Sequence, residues 1–155
     1  MTLENTLKKR LADPPPENGG PTVIPHKGWN VSVRPEASDA IGASLHELSV
    51  QRDSAPASGD VRAWADRVSK KVTGLLEPLA LHELDAAKQT AILRSAAPTA
   101  KDPGLHYTEV ELQGTSKATM RRFRGFHEAG KKREQIPFTL THEGLAKVID
   151  DITSE

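Results

Sequence analysis

The chain has 155 residues, room for one domain at the usual size of about 100–200 residues. Lys plus Arg and Asp plus Glu number 21 each, so the formal net charge is zero; the basic excess of a domain built to coat nucleic acid or an anionic membrane is missing. With 36% hydrophobic and only 4% aromatic residues, part of the length is expected to bury nothing, and the lack of cysteine excludes disulfides, thiolate metal sites and cysteine nucleophiles.

The first ten residues lack the apolar stretch of a secretory signal, and no segment approaches the ~20 apolar residues that a membrane-spanning helix needs. The expected compartment is the cytoplasm. Leu3, Leu7 and Leu11 recur behind Thr2 and predict a short helix, stopped by Pro14, Pro15 and Pro16. Residues 13–27 are rich in Pro and Gly and read as a linker, so residues 1–28 are expected to form a flexible N-terminal arm.

Trp29, Val31 and Val33 alternate with polar residues, the period of a half-buried strand ending at Arg34-Pro35. The next segment fits two readings: a helix over 40–48 through Ile41, Leu45 and Leu48, or a strand over 46–52 through Leu48 and Val50. Residues 29–52 are thus an unsettled strand-containing segment whose addition to the sheet is left open, and 53–59 form a second linker.

From residue 60 onward the pattern sharpens. Asp60 is the expected N-cap of a helix whose stripe is Val61, Trp64, Ala65, Val68, Val72 and Leu75, stopped by Gly74 and Pro78. Segments 79–85 and 89–95 read as one hairpin, and 106–113 and 117–126 as a second, turning at Gly114-Thr115-Ser116. That register puts Leu112 beside Ala118 and Val110 beside Met120 on an apolar face, with Glu109 opposite Arg121 on a charged one. Ile136, Phe138 and Leu140 form a last strand; Pro137 lacks an amide donor and points to a sheet edge. Thr141 caps a final helix with the stripe Leu145, Val148, Ile149 and Ile152. The expected fold is therefore α+β: an antiparallel sheet of four to six strands covered by two amphipathic helices, compact over 60–155, with a flexible N-terminal arm.

Reactive constellations are sparse. Four of the six histidines precede a glutamate (His46, His82, His127, His142), but adjacent residues point apart on helix or strand, and no helical zinc spacing occurs. No glycine loop for phosphate and no nucleophile elbow can be read, so no catalytic, metal or cofactor residue is assigned. The repeated Leu-His-Glu-Leu at 45–48 and 81–84 reads as coincidence, because the surrounding residues do not match.

One local anomaly remains. Arg121, Arg122, Phe123, Arg124, Lys131, Lys132 and Arg133 cluster in the segment 117–133, a composition suited to nucleic acid or an anionic ligand, or else to an ion-paired sheet surface. The leading expectation is a non-catalytic protein-interaction domain, adaptor- or chaperone-like in shape, that binds another protein through the edge strand of Ile136, Phe138 and Leu140. Such an edge also permits a homodimer. The alternative is nucleic-acid binding through the basic hairpin; an enzyme of unassigned reaction is the third.

Overall fold

The computed structural model describes residues 2–14, 20–54, 59–101, 104–126 and 130–154. In chain order these form α1 (Leu3–Ala12), β1 (Thr22–His26), β2 (Trp29–Ser38), β3 (Gly42–Arg52), α2 (Val61–Lys71), β4 (Leu79–Asp85) and β5 (Thr90–Ser95). They continue with β6 (Thr99–Lys101), β7 (Gly104–Gln113), β8 (Lys117–Phe126), β9 (Glu134–Ile136), β10 (Phe138–Thr141) and α3 (His142–Thr153).

The ten strands form one antiparallel sheet, with the main order β1-β2-β3-β8-β7-β5-β4. This corrects the expected fold of four to six strands under two helices with a flexible arm: the molecule is mostly sheet, with three short helices. The physical reason lies in the first third of the chain. Lys27 and Gly28 both adopt positive φ (49° and 84°), forming a tight turn that folds Thr22–His26 back on β2 as an extra strand. Pro25 sits in that outermost strand, where a missing amide donor is tolerated. The ambiguous segment resolves as β3, hydrogen-bonded to β2 along most of its length, with irregularities where His46 and Glu36 are skipped. Those bulges reset the alternation, so Ala43 and Leu45 as well as Leu48 and Val50 are buried.

The helices cover one face of the sheet. Thr2, Asp60 and Thr141 cap the three helices, each side chain accepting from the backbone N–H three residues on. Leu7 and Leu11 of α1 are fully or nearly buried and belong to the same cluster as Val68 of α2 and Ile149 of α3. The Trp29 and Trp64 rings lie 5.8 Å apart and join β2 to α2, and the Trp64 indole N–H donates to Ile152 O at 3.1 Å. The first third of the chain thus contributes to the core in proportion to its length.

The register of β7 and β8 matches the sequence expectation: Leu112 pairs with Ala118, Val110 with Met120 and Glu109 with Arg121. Elsewhere the sheet forks. β3 and β8 pair only over 48–51 and 117–120 and then separate. Into the fork runs the segment 134–141. β9 comes inward along β8 (Glu134 opposite Arg124, Ile136 opposite Arg122), and β10 goes outward along β3 (Phe138 opposite Leu45, Thr141 opposite Gly42). Pro137 is therefore the tip of a V. Each arm is hydrogen-bonded to a strand on its outer flank, and among the described residues no pairing joins the two arms to each other. Among the described residues, no helix is long and apolar enough to cross a membrane.

Candidate functional site

Residues of β7 and β8 alternate between the two faces of the sheet, and the basic residues divide accordingly. On the face away from the helices, Glu109 accepts from Arg94 (Nε at 3.2 Å, Nη2 at 3.0 Å) and from Arg133 Nη1 at 2.7 Å. Arg121 donates from Nε to Glu47 at 3.1 Å, with Glu111 at 3.9 Å from its Nη1. Glu109 and Arg121 are opposite in register, as expected, yet each finds other partners, because Arg94 and Arg133 converge on Glu109.

The aromatic rings of this region are already occupied. Arg133 lies 3.8 Å over the Phe123 ring, Arg94 lies 5.0 Å over Tyr107, and the two rings are 5.9 Å apart. Around Phe126, Lys131 Nζ sits at 4.1 Å and Arg124 at 5.3 Å from the ring centre, and Arg124 also pairs with Glu134. Lys132 is exposed. The seven expected contact residues are therefore not gathered into one platform. Each arginine among them holds a carboxylate, and both phenylalanines carry the protein's own cations.

On the helix-covered face, Arg122 is 6% exposed and makes a two-pronged ion pair with Glu77, Nη1 to Oε1 at 2.9 Å and Nη2 to Oε2 at 3.0 Å. Ser95 and Thr99 also donate to the Glu77 carboxylate, at 3.0 and 2.7 Å, and Arg122 Nη1 donates to Thr108 Oγ1 at 2.9 Å. Burial by itself pushes the Glu77 carboxyl up. The hydrogen bonds from Arg122, Thr99 and Ser95, with the Arg122 charge, outweigh it and hold the group below its ordinary value. Sequence reading missed Glu77. Its only signal is an acid between two leucines and a proline in a loop, and its partner stands 45 residues away.

Glu77 pins the segment 74–78 to the sheet, and this creates a cleft of about 670 Å³. One wall is Gly74, Leu75 and Leu76; the opposite wall is the unbroken run Ile136, Pro137, Phe138, Thr139, Leu140 and Thr141, with Gly144 of α3 behind it. Thr108, Arg122, His106 and Lys101 complete the lining. Its volume falls in the range of about 300–1,000 Å³ typical of binding sites. Leu76 projects at the lip, 83% exposed, beside the half-buried Ile136 and Leu140. The expected partner-binding strand is divided at Pro137, with Ile136 on β9 and Phe138 and Leu140 on β10; both lie inside the fork rather than at the outer margin of the sheet, and all three residues line the cleft.

The histidines are dispersed. His26 Nε2 lies 2.8 Å from Asp150 and His46 Nε2 lies 3.7 Å from Glu36, while His142 is buried at the start of α3. His127 lies outside the described residues. Among the described residues no three His, Asp or Glu side chains gather as metal ligands would. Within the cleft, His106 is held below its ordinary value by burial first and then by the charges of Lys101, Arg122 and Arg124, with Glu77 pulling weakly the other way. No protein-family model, no curated protein and no solved structure matches the chain.

Proposed function

We propose that this chain is a non-catalytic protein-interaction module that takes an extended segment of a partner protein into the cleft along β10. One observation carries the reading: a strand paired on one flank only among the described residues, with six consecutive residues of it and its approach lining a largely apolar cleft. A strand flank of this kind binds by main-chain hydrogen bonds, while alternate side chains enter pockets and provide selectivity. Leu75, Leu76, Ile136 and Leu140 provide apolar surface for such side chains. Nucleic-acid binding through 117–133 is less well supported, because bases would have to displace cations already stacked on Phe123 and Phe126.

Selection of random peptides displayed against the whole chain tests the reading. The expected winners alternate apolar and polar residues, and they bind Leu76→Lys and Leu140→Lys at least tenfold more weakly than the parent, with the unfolding midpoint of Leu76→Lys unchanged. Failure to enrich any peptide, or equal binding to parent and both variants, would remove the cleft from consideration. A second copy of the chain acting as the occupant would appear instead as concentration-dependent dimerisation abolished by the same two variants.

A further inference from the structure

Among the described residues, the ionisable groups lining the cleft are all basic: Lys101, His106 and Arg122, with no acid beside them in the lining. The Glu77 carboxylate, held on Arg122 beneath the cleft, is committed to Arg122, Ser95 and Thr99 through both oxygens, so it is not free to answer Lys101. Lys101 is exposed at the end of β6 and makes no ion pair among the described residues, and His106 is half-buried one strand away, in register with Thr99. The cleft therefore has an apolar length, from Leu76 to Leu140, and a basic end.

Resting on the reading above, we infer that the segment taken up along β10 carries a carboxylate side chain, which meets Lys101 and His106 while its apolar side chains meet Leu76, Ile136 and Leu140. Charge complementarity selects this occupant over a neutral one, because an apolar strand alone would leave the basic end desolvated and unanswered. The same field bears on His106: the cations that disfavour its protonated form are offset by an incoming carboxylate, so binding makes the ring easier to protonate. An acid-bearing apolar peptide is thereby distinguished from a purely apolar one by two independent signals, affinity and the titration of one histidine.

The probes are fluorescein-labelled heptapeptides of alternating threonine and leucine with Asp, Asn or Lys at the first or last position, titrated into the full chain by anisotropy. In its better orientation, the Asp peptide is expected to bind about tenfold more tightly than its Asn counterpart, a margin that shrinks as salt rises. Lys101→Gln erases the margin, and Lys101→Glu turns it toward the Lys peptide. Lys131→Gln and Lys132→Gln leave it intact. In the complex, His106 titrates at higher pH with the Asp peptide than with the Asn peptide, which a contact elsewhere on the surface would not produce. Equal binding of Asp, Asn and Lys peptides, lost in Leu140→Lys, would overturn the carboxylate while leaving the strand-binding role standing. A preference that followed Lys131 and Lys132 would overturn it too, and no binding by any probe would remove both.

Discussion

Arg121 and Arg122 are neighbours in the chain, yet β8 sends them to opposite faces of the sheet and to opposite physical regimes. Arg121 and Glu47 are 35% and 26% exposed, and water still solvates both when the pair opens. The side chains of Arg122 and Glu77 are only 8% and 4% exposed, with Ser95, Thr99 and Thr108 completing their hydrogen bonds. A run of basic residues in a sequence is therefore not one object. On the outer face the Arg121 pair is solvated and contributes little, whereas the inner pair fastens a loop and shapes a cleft.

The sharpest way to break this comparison is to remove one partner on each side. Glu77→Ala strands a buried guanidinium and is expected to cost about 3–5 kcal/mol in urea unfolding, whereas Glu77→Leu combined with Arg122→Met recovers much of that loss. If Glu77→Ala cost no more than an outer-face variant, the inner pair would not be the fastening described. Leu7→Ala, in a helix read from sequence as part of a flexible arm, is expected to cost about 2–5 kcal/mol because its side chain is wholly buried. A negligible cost would detach α1 from the core.

Acid provides a third, smaller effect. The Glu77 carboxyl sits below its ordinary value of 4.5 in the folded protein, so its contribution to stability is fully present above that pH. It is lost as pH falls through the lower folded value, where the unfolded chain binds the proton more readily. Chemical unfolding between pH 6 and pH 3 is expected to show a steeper fall for the parent than for Glu77→Gln; parallel curves would contradict it. Smallest of all, Glu47→Ala is expected to cost under about 1 kcal/mol, since Arg121 keeps Glu111 nearby and water replaces the rest.

These contrasts also explain what could be read in advance. Helices with an N-cap and an apolar stripe, such as Asp60 with Val61, Trp64 and Val68, are local objects, and so is the hairpin turning at 114–116. The extra strand at 22–26 was hidden by Pro25 and by a Lys-Gly turn in place of the commoner Asn-Gly, and the strand or helix identity of 40–52 depended on neighbours distant in the chain. The site was legible only in part. Ile136, Phe138 and Leu140 could be read as extended chain, but not their division at Pro137 between β9 and β10, and the fork that takes both strands in arises from where β3 and β8 stop pairing, a long-range property with no local signature. Glu77, Leu75 and Leu76 lay in a stretch without periodicity, and their role exists only once Arg122 reaches them.

The open flank of β10 is the claim on which the functional reading depends. Nuclear Overhauser contacts between the backbone of a bound threonine-leucine heptapeptide and the backbone of residues 138–141 examine it directly. Interstrand contacts at strand spacing, together with slowed amide exchange in β10, are the predicted result. A peptide whose contacts fall on the Arg94–Tyr107–Phe123 face, with β10 unperturbed, would contradict it.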